Sequence, residues 1–282
     1  MPTTRSSQTP PAKLTTLAID VGGTGIKASV LDQAGHMERD RVREDTPYPL
    51  SPEGLLGVIE SLVAQLPTFD RVSLGFPGMV REGRILSAPH FVSPTGPEGD
   101  PSPKLVNAWI GCDLQGALSA RLGKPTKVAN DADQQGAAVV TGEGLELVMT
   151  LGTGVGSALF YHGRLCPHLE LAHHPFNAKG TYNEVLGDAT RKQVGGKKWN
   201  KRVVEMVDVL RALIFFDHLY IGGGNSMRIA SDLGADVSIV SNQAGILGGI
   251  KLWDRTEPTP TPAPAVTARK DPTTRKVPAA PA

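Results

Sequence analysis

Two stretches of the 282-residue sequence put carboxylates and imidazoles at spacings that suit chemistry. In VANDADQQGAAVV, Val128 to Val140, an apolar strand end carries Asn130, Asp131 and Asp133 just ahead of an alanine-rich helix. Two roles are open to a carboxylate there. Asp and Asn cap helix N-termini, and carboxylates at strand ends line the clefts of open α/β sheets. In the second role Asp131 is a general base, taking the proton from a hydroxyl as that hydroxyl attacks phosphorus. In ELAHHPF, Glu170 to Phe176, residues Glu170 and His173 face one ligand if the segment turns helically. A zinc site is the competing reading, but cysteine or histidine partners at zinc spacing are missing, and His174 reads as a surface histidine. RKQVGGKKWNKR, Arg191 to Arg202, sets Lys192, Lys197, Lys198, Lys201 and Arg202 around a tryptophan. Such a run is a solvated helix face, a nucleic-acid contact, or a cationic track for an extended polyphosphate.

The elements that must position these groups share one construction, an apolar strand-like run ending in a glycine turn. It occurs as LAIDVGGTG at Leu17, LVMTLGTGVG at Leu147 and HLYIGGGNS at His218. Gly23, Gly25 and Ala28 also fit the loose dinucleotide pattern G-x-G-x-x-G/A, which requires a helix after the glycines. Here Ile26, Ala28 and Val30 alternate with polar residues and a turn follows at Asp32 to Gly35, so the spacing predicts a second strand. Ser157 to Tyr161 repeat the arrangement after Gly156. Two such hairpins suit phosphate held by backbone N–H groups and a hydroxyl, and no G-x-x-x-x-G-K-[ST] motif occurs. Ser51 and Pro52 open a helix with the apolar stripe Leu55, Leu56, Ile59, Leu62, Val63 and Leu66. Leu114, Leu118 and Leu122 mark another helix, and Val203 to Ile214 a third that leads into a strand over Phe216–Ile221. TGPEGDPSPK, Thr95 to Lys104, reads as a surface loop. Alternating strands and helices predict an α/β fold of two lobes with a cleft between them.

Composition narrows the partners. With 29 Lys and Arg against 28 Asp and Glu, the net charge of +1 gives no global attraction to nucleic acid or an anionic membrane. No apolar run approaches the ~20 residues of a membrane span. Two distant cysteines, Cys112 and Cys166, and a polar N-terminus without a signal-peptide core fit a reduced, cytoplasmic protein. The expected organisation is a flexible leader over 1–13, lobes over 14–128 and 129–244, a terminal helix over 245–254, and a proline-, alanine- and threonine-rich tail over 255–282.

Taken in order, DVGGTGIK, VANDAD, LGTGVG, ELAH and IGGGNS resemble the ROK sugar kinases of the hexokinase and actin-like superfamily, and within them the polyphosphate-using glucokinase and glucomannokinase branch. The resemblance runs from about Leu14 to Trp253. It implies two ribonuclease-H-like lobes closing on a hexose, glucose or mannose, with Mg²⁺ and either ATP or polyphosphate as donor, in a monomer or homodimer. By motif, Asp20 acts near Mg²⁺ through water, with Gly22, Gly23, Thr24, Gly25 and Lys27 around the transferred phosphoryl. Gly152, Thr153 and Gly154 belong to the second phosphate loop, and Gly222, Gly223 and Gly224 to the adenosine side. Asn130 and Asp131 match the sugar-binding pair whose aspartate is the base, and Glu170, His173 and Glu184 match residues that hold ring hydroxyls. Ala172 stands where relatives carry glycine and the cysteines of their zinc loop are absent, so His173 is expected on sugar and no zinc site is expected. His90 replaces an asparagine that touches the sugar in many relatives. An ATP-only hexose or amino-sugar kinase, and a non-catalytic sugar-sensing module, are the alternatives.

Overall fold

The computed structural model describes residues 14–37, 39–96, 99–240 and 244–255, with the backbone alone at 244–246. The expected leader and all but the first residue of the expected tail lie outside the described residues.

Two five-stranded sheets repeat one plan. Strands β1 (Thr16–Val21), β2 (Ile26–Leu31) and β3 (Val42–Glu44) form an antiparallel meander; β4 (Arg71–Phe76) then pairs parallel with β1, and β7 (Thr126–Asn130) parallel with β4, giving the order β3-β2-β1-β4-β7. In the second sheet β8 (Leu145–Leu151), β9 (Val155–Tyr161) and β10 (Arg164–Leu165) form the meander, and β13 (His218–Gly222) and β14 (Val237–Ile239) follow in parallel, giving β10-β9-β8-β13-β14. This duplicated order is the ribonuclease-H-like plan that the resemblance implies. Short hairpins, β5 (Val80–Arg81) with β6 (Arg84–Ile85) and β11 (Pro175–Asn177) with β12 (Gly180–Thr181), complete the strands.

Each sheet has its own core. Helices α1 (Pro52–Val63), α2 (Pro103–Trp109) and α3 (Leu114–Leu122) cover the first, where Leu55, Ile59, Leu62, Trp109 and Leu118 are buried with Leu17, Ile19 and Leu74. Ser51 caps α1 by accepting from the Gly54 N–H. The second sheet packs against α5 (Tyr182–Leu186), α6 (Asp188–Val194) and α7 (Gly196–Ile214), burying Trp199, Val203, Met206 and Leu210 with Leu147, Met149 and Ile221. Helix α2 corrects the sequence reading: its Ser102-Pro103 start lies inside the run expected to be loop. The strand after α7 also begins later than expected, because Phe215 takes a left-handed conformation and Asp217 turns its carboxylate back to accept from the Leu145 N–H.

One helix bridges the sheets and a second packs against it. Helix α4 (Asp131–Val139) follows β7 without a loop, and glycines let it approach both sides. A Cβ on Gly75 of β4 would sit 3.3 Å from the Asp131 Cα, and one on Gly136 would meet the Phe160 ring of β9 at 2.6 Å. Helix α8 (Ala244–Arg255) lies against α4 and the first sheet, where a Cβ on Gly248 would run into the Gln134 carbonyl. Ser73 of β4 donates to the Gly249 carbonyl at 2.5 Å and accepts from the Trp253 indole N–H at 2.8 Å. Arg71 and Lys127 stand over the Trp253 ring.

Candidate active site

The register across the first sheet sets Asp20, Gly75 and Ala129 level on neighbouring parallel strands, so Asp20 and Asp131 emerge at the same carboxyl edge with only β4 between them. Open α/β sheets bind ligands at such an edge. Asn130 is the N-cap of α4: its Oδ1 accepts from the Ala132 N–H at 2.8 Å, while its Nδ2 donates to the Gly78 carbonyl at 3.0 Å. Capping is thus the task of Asn130, and Asp131 occupies the first helical position. A helix N-terminus favours a carboxylate by about 0.3–1 kcal/mol. Burial, the nearby Asp20 charge and smaller repulsions from Asp133 and Glu170 outweigh that and the Ala132 hydrogen bond, lifting Asp131 to about 7. A carboxyl poised there can receive a proton near neutrality.

The two glycine hairpins are built alike. In the first, the Gly22 N–H reaches the Gly25 carbonyl at 3.0 Å; in the second, the Gly152 N–H reaches the Gly154 carbonyl at 2.9 Å. Their other acceptors are taken by the protein. Thr46, Tyr48 and Arg43 donate side-chain hydrogen bonds to the carbonyls of Gly22, Gly23 and Thr24. The Asp188 N–H and the Asn225 side chain donate to the Gly152 carbonyl, and Asp188 also reaches Thr153. What such turns still offer an anion is donors. The third turn abuts the second: Gly223, at φ +87°, lies so close that a Cβ would meet the Leu151 carbonyl oxygen at 2.5 Å, and Gly222 and Gly224 flank it. Asn183 accepts from the Val155 N–H at 2.9 Å beside the second hairpin. Thr46, Tyr48, Asn183, Asp188 and Asn225 are not among the site residues of the sequence reading, since nothing local marks a side chain that buttresses a distant turn. Lys27 pairs with Asp20 at 3.2 Å across the β1–β2 hairpin.

Glu170 opens a single 3-10 turn, Leu171–His173, rather than an α-helix. It is half-buried beside His168, whereas His173 is exposed. Glu184 spends one carboxylate oxygen in a capping box with Thr181, which together with His173 holds its pKa below the usual carboxylate range. His90 is largely buried, burial lowers its pKa, and its Nδ1 has no partner among the described residues. In the basic run Trp199 is fully buried, its indole donating to the Leu186 carbonyl at 2.8 Å, so the aromatic is core and not a stacking platform for bases. Lys197, Lys198 and Lys201 are exposed on α7; Lys192 pairs with Asp188 at 2.7 Å, and Arg202 donates to the Val185 carbonyl. Lys192 and Arg191 together hold Asp188 down to about 2.

Residues 16–174, from β1 through the Glu170 turn, match the ROK family. The chain belongs to the ROK family. Among ROK relatives, the polyphosphate glucokinase of Mycobacterium tuberculosis (strain ATCC 25618 / H37Rv) is 28% identical over 219 residues, covering 74% of this chain and 77% of that protein. The N-acetylmannosamine kinase of Escherichia coli (strain SE11) is 30% identical over 157 residues, 54% of this chain and 49% of that one. The crystal structure of the inorganic polyphosphate/ATP-glucomannokinase of Arthrobacter sp. strain KM superimposes with a TM-score of 0.69 at 28% identity, covering 84% of this chain and 97% of that one. The ROK sugar-kinase fold, of actin and hexokinase type, is therefore the fold of this chain. No helix among the described residues is long and apolar enough to cross a membrane, and no group of three or more potential metal ligands gathers there.

Proposed function

We propose that this ROK-family sugar kinase phosphorylates the 6-hydroxyl of glucose, and of mannose, using inorganic polyphosphate or ATP, with Asp131 as general base. The observation that carries the reading is Asp131 itself: a carboxyl lifted to about 7 at the sheet edge that Asp20 and the first glycine hairpin share. As the hydroxyl attacks phosphorus its proton passes to Asp131, while turn N–H groups face charge on the transferring group. Asn130, Glu170, His173 and Glu184 hold the sugar in this reading. The site lies in the cleft between the two lobes, over 14–128 and 129–244.

Mg²⁺ fits the residues present. Asp20 offers a half-exposed, hard oxygen beside the first hairpin, and Asp20 and Asp131 together leave negative charge that Lys27 offsets only in part. Asp20 would hold the ion through water; when bound, it neutralises phosphate charge. For polyphosphate, support comes from the exposed Lys197, Lys198 and Lys201 on α7, which follows the helix whose first residue, Asp188, braces the second hairpin. The likeness to N-acetylmannosamine kinase favours a second reading, an ATP-dependent amino-sugar kinase.

A coupled assay offering glucose, mannose or N-acetylmannosamine with purified polyphosphate or ATP tests both. Turnover of glucose with polyphosphate is expected. Turnover confined to the amino sugar with ATP would replace the first reading by the second.

A further inference from the structure

His168 lies on the loop between β10 and the Glu170 turn, with its ring only 3% exposed. Nδ1 is 2.9 Å from Asp133 Oδ1, and the buried Nε2 faces Glu170 Oε2 at 3.5 Å. Asp133 is itself buried on α4, two positions beyond Asp131. Ser157 of β9 pins the chain on both sides of Glu170, donating to the Leu169 carbonyl at 2.5 Å and accepting from the Leu171 N–H at 3.4 Å. The histidine thus joins the first turn of α4 to the carboxylate expected on the sugar.

A neutral imidazole has one N–H and can donate to one carboxylate; only the doubly protonated ring serves two acceptors. We propose that His168 is a positioning residue: as an imidazolium between Asp133 and Glu170, it fixes the Glu170 carboxylate relative to α4, so that the sugar-holding group and the base share one frame. The inference rests on the sugar-kinase reading above. Burial works against a charged ring, but the Nδ1 hydrogen bond to Asp133 and the charges of Asp133 and the adjacent Glu170 prevail and raise His168 to about 10. The same ring lowers Glu170 against the upward push of its own burial.

A double-mutant cycle on the full chain separates positioning from bulk structure. Glucose affinity is measured by calorimetry, without donor, for the unsubstituted protein, His168→Gln, Glu170→Gln and the double variant. His168→Gln is expected to weaken glucose binding about 10-fold, and to weaken it far less once Glu170 is already Gln, because coupled residues are non-additive. Full affinity in His168→Gln, or equal losses in both backgrounds, would overturn the proposal. Should His168→Gln fail to fold, ring ¹⁵N spectra of the unsubstituted protein decide: two protonated nitrogens at about pH 8 that shift on adding glucose are expected, and a neutral or unresponsive ring overturns it. A protein that binds no hexose at all would remove the sugar-kinase reading and this inference with it, whereas the other adverse outcomes remove the inference alone.

Discussion

Asp20 and Asp131 repel one another across a single intervening strand, and that repulsion adds to the burial that holds Asp131 at about 7. Replacing the base keeps the shape of the site and removes its proton acceptor. Asp131→Asn is expected to lower kcat by about 10²- to 10⁴-fold while glucose binding changes little. Steady-state kinetics beside calorimetric titration would show the split; near-normal turnover would end the assignment.

The same carboxyl sets a pH dependence. A base must be deprotonated, so kcat/KM is expected to fall as pH drops through about 7. Asp20→Asn removes a repelling charge but leaves the burial, which moves the acid limb to lower pH without bringing it back to 3.8, the ordinary aspartate value. Residual activity will be small in that variant, so the profile needs a sensitive donor-consumption assay. A limb that stays in place would show that the Asp20 charge does not reach Asp131.

Stability should respond in the opposite sense to activity. The Asp131 pKa is raised on folding, from 3.8 to about 7, so the folded state holds its proton more tightly than the unfolded chain. That contribution is fully present below 3.8 and is lost as pH rises through about 7. Above that pH, Asp131→Asn is expected to be more stable than the unsubstituted protein by on the order of 1–3 kcal/mol. Urea melts on either side of the transition would measure it, and an equal or lower stability of the variant at high pH would contradict the shift.

The exposed lysines of α7 discriminate between donors. A long polyanion meets several cations at once, whereas ATP engages the glycine turns. Replacing Lys197, Lys198 and Lys201 with alanine is expected to raise KM for polyphosphate by about 10-fold or more, with a smaller change for ATP and a weaker salt dependence. Equal losses with both donors would show that α7 does not carry the chain.

Close helix contact supplies a mechanical test. Any Cβ at Gly248 runs into the Gln134 carbonyl of α4, a backbone atom that a rotamer change cannot move aside. Gly248→Ala is expected to destabilise the protein by about 1–3 kcal/mol, as overpacking does. Gly57→Ala, at an α1 position with open space around it, supplies the control. Calorimetric melting of the pair gives the comparison.

The glycine hairpins were legible because the residues after each turn alternate: Ile26, Ala28 and Val30 pair back along β1, as Ser157 to Tyr161 do along β8. Helices α1 and α3 announced themselves through apolar stripes and the Ser51-Pro52 start. Helix α2 stayed hidden because proline and glycine crowd its approach, and only the burial of Leu105 and Trp109 reveals its purpose. At the site, local motif marked Asp20, Asp131 and the turns. It could not mark Asp133 with His168, which lie 35 positions apart and meet only after the second sheet folds back on α4. Nor could it mark Thr46 and Tyr48, whose hydroxyls meet turn carbonyls 24 and 25 residues away.

The seating of α8 on the first sheet governs when that sheet can be finished during synthesis. Ser73 meets Gly249 and Trp253 at separations of 176 and 180 residues, and Ile250 completes a small cluster with Ala18 and Leu31. A ribosome therefore extrudes the first half with only α4 on this face, and the part that α8 covers stays open until the last described helix has emerged. Contacts this distant in sequence form late, so the strands that carry Asp20 and precede Asp131 reach their final packing only after the rest of the fold has been made.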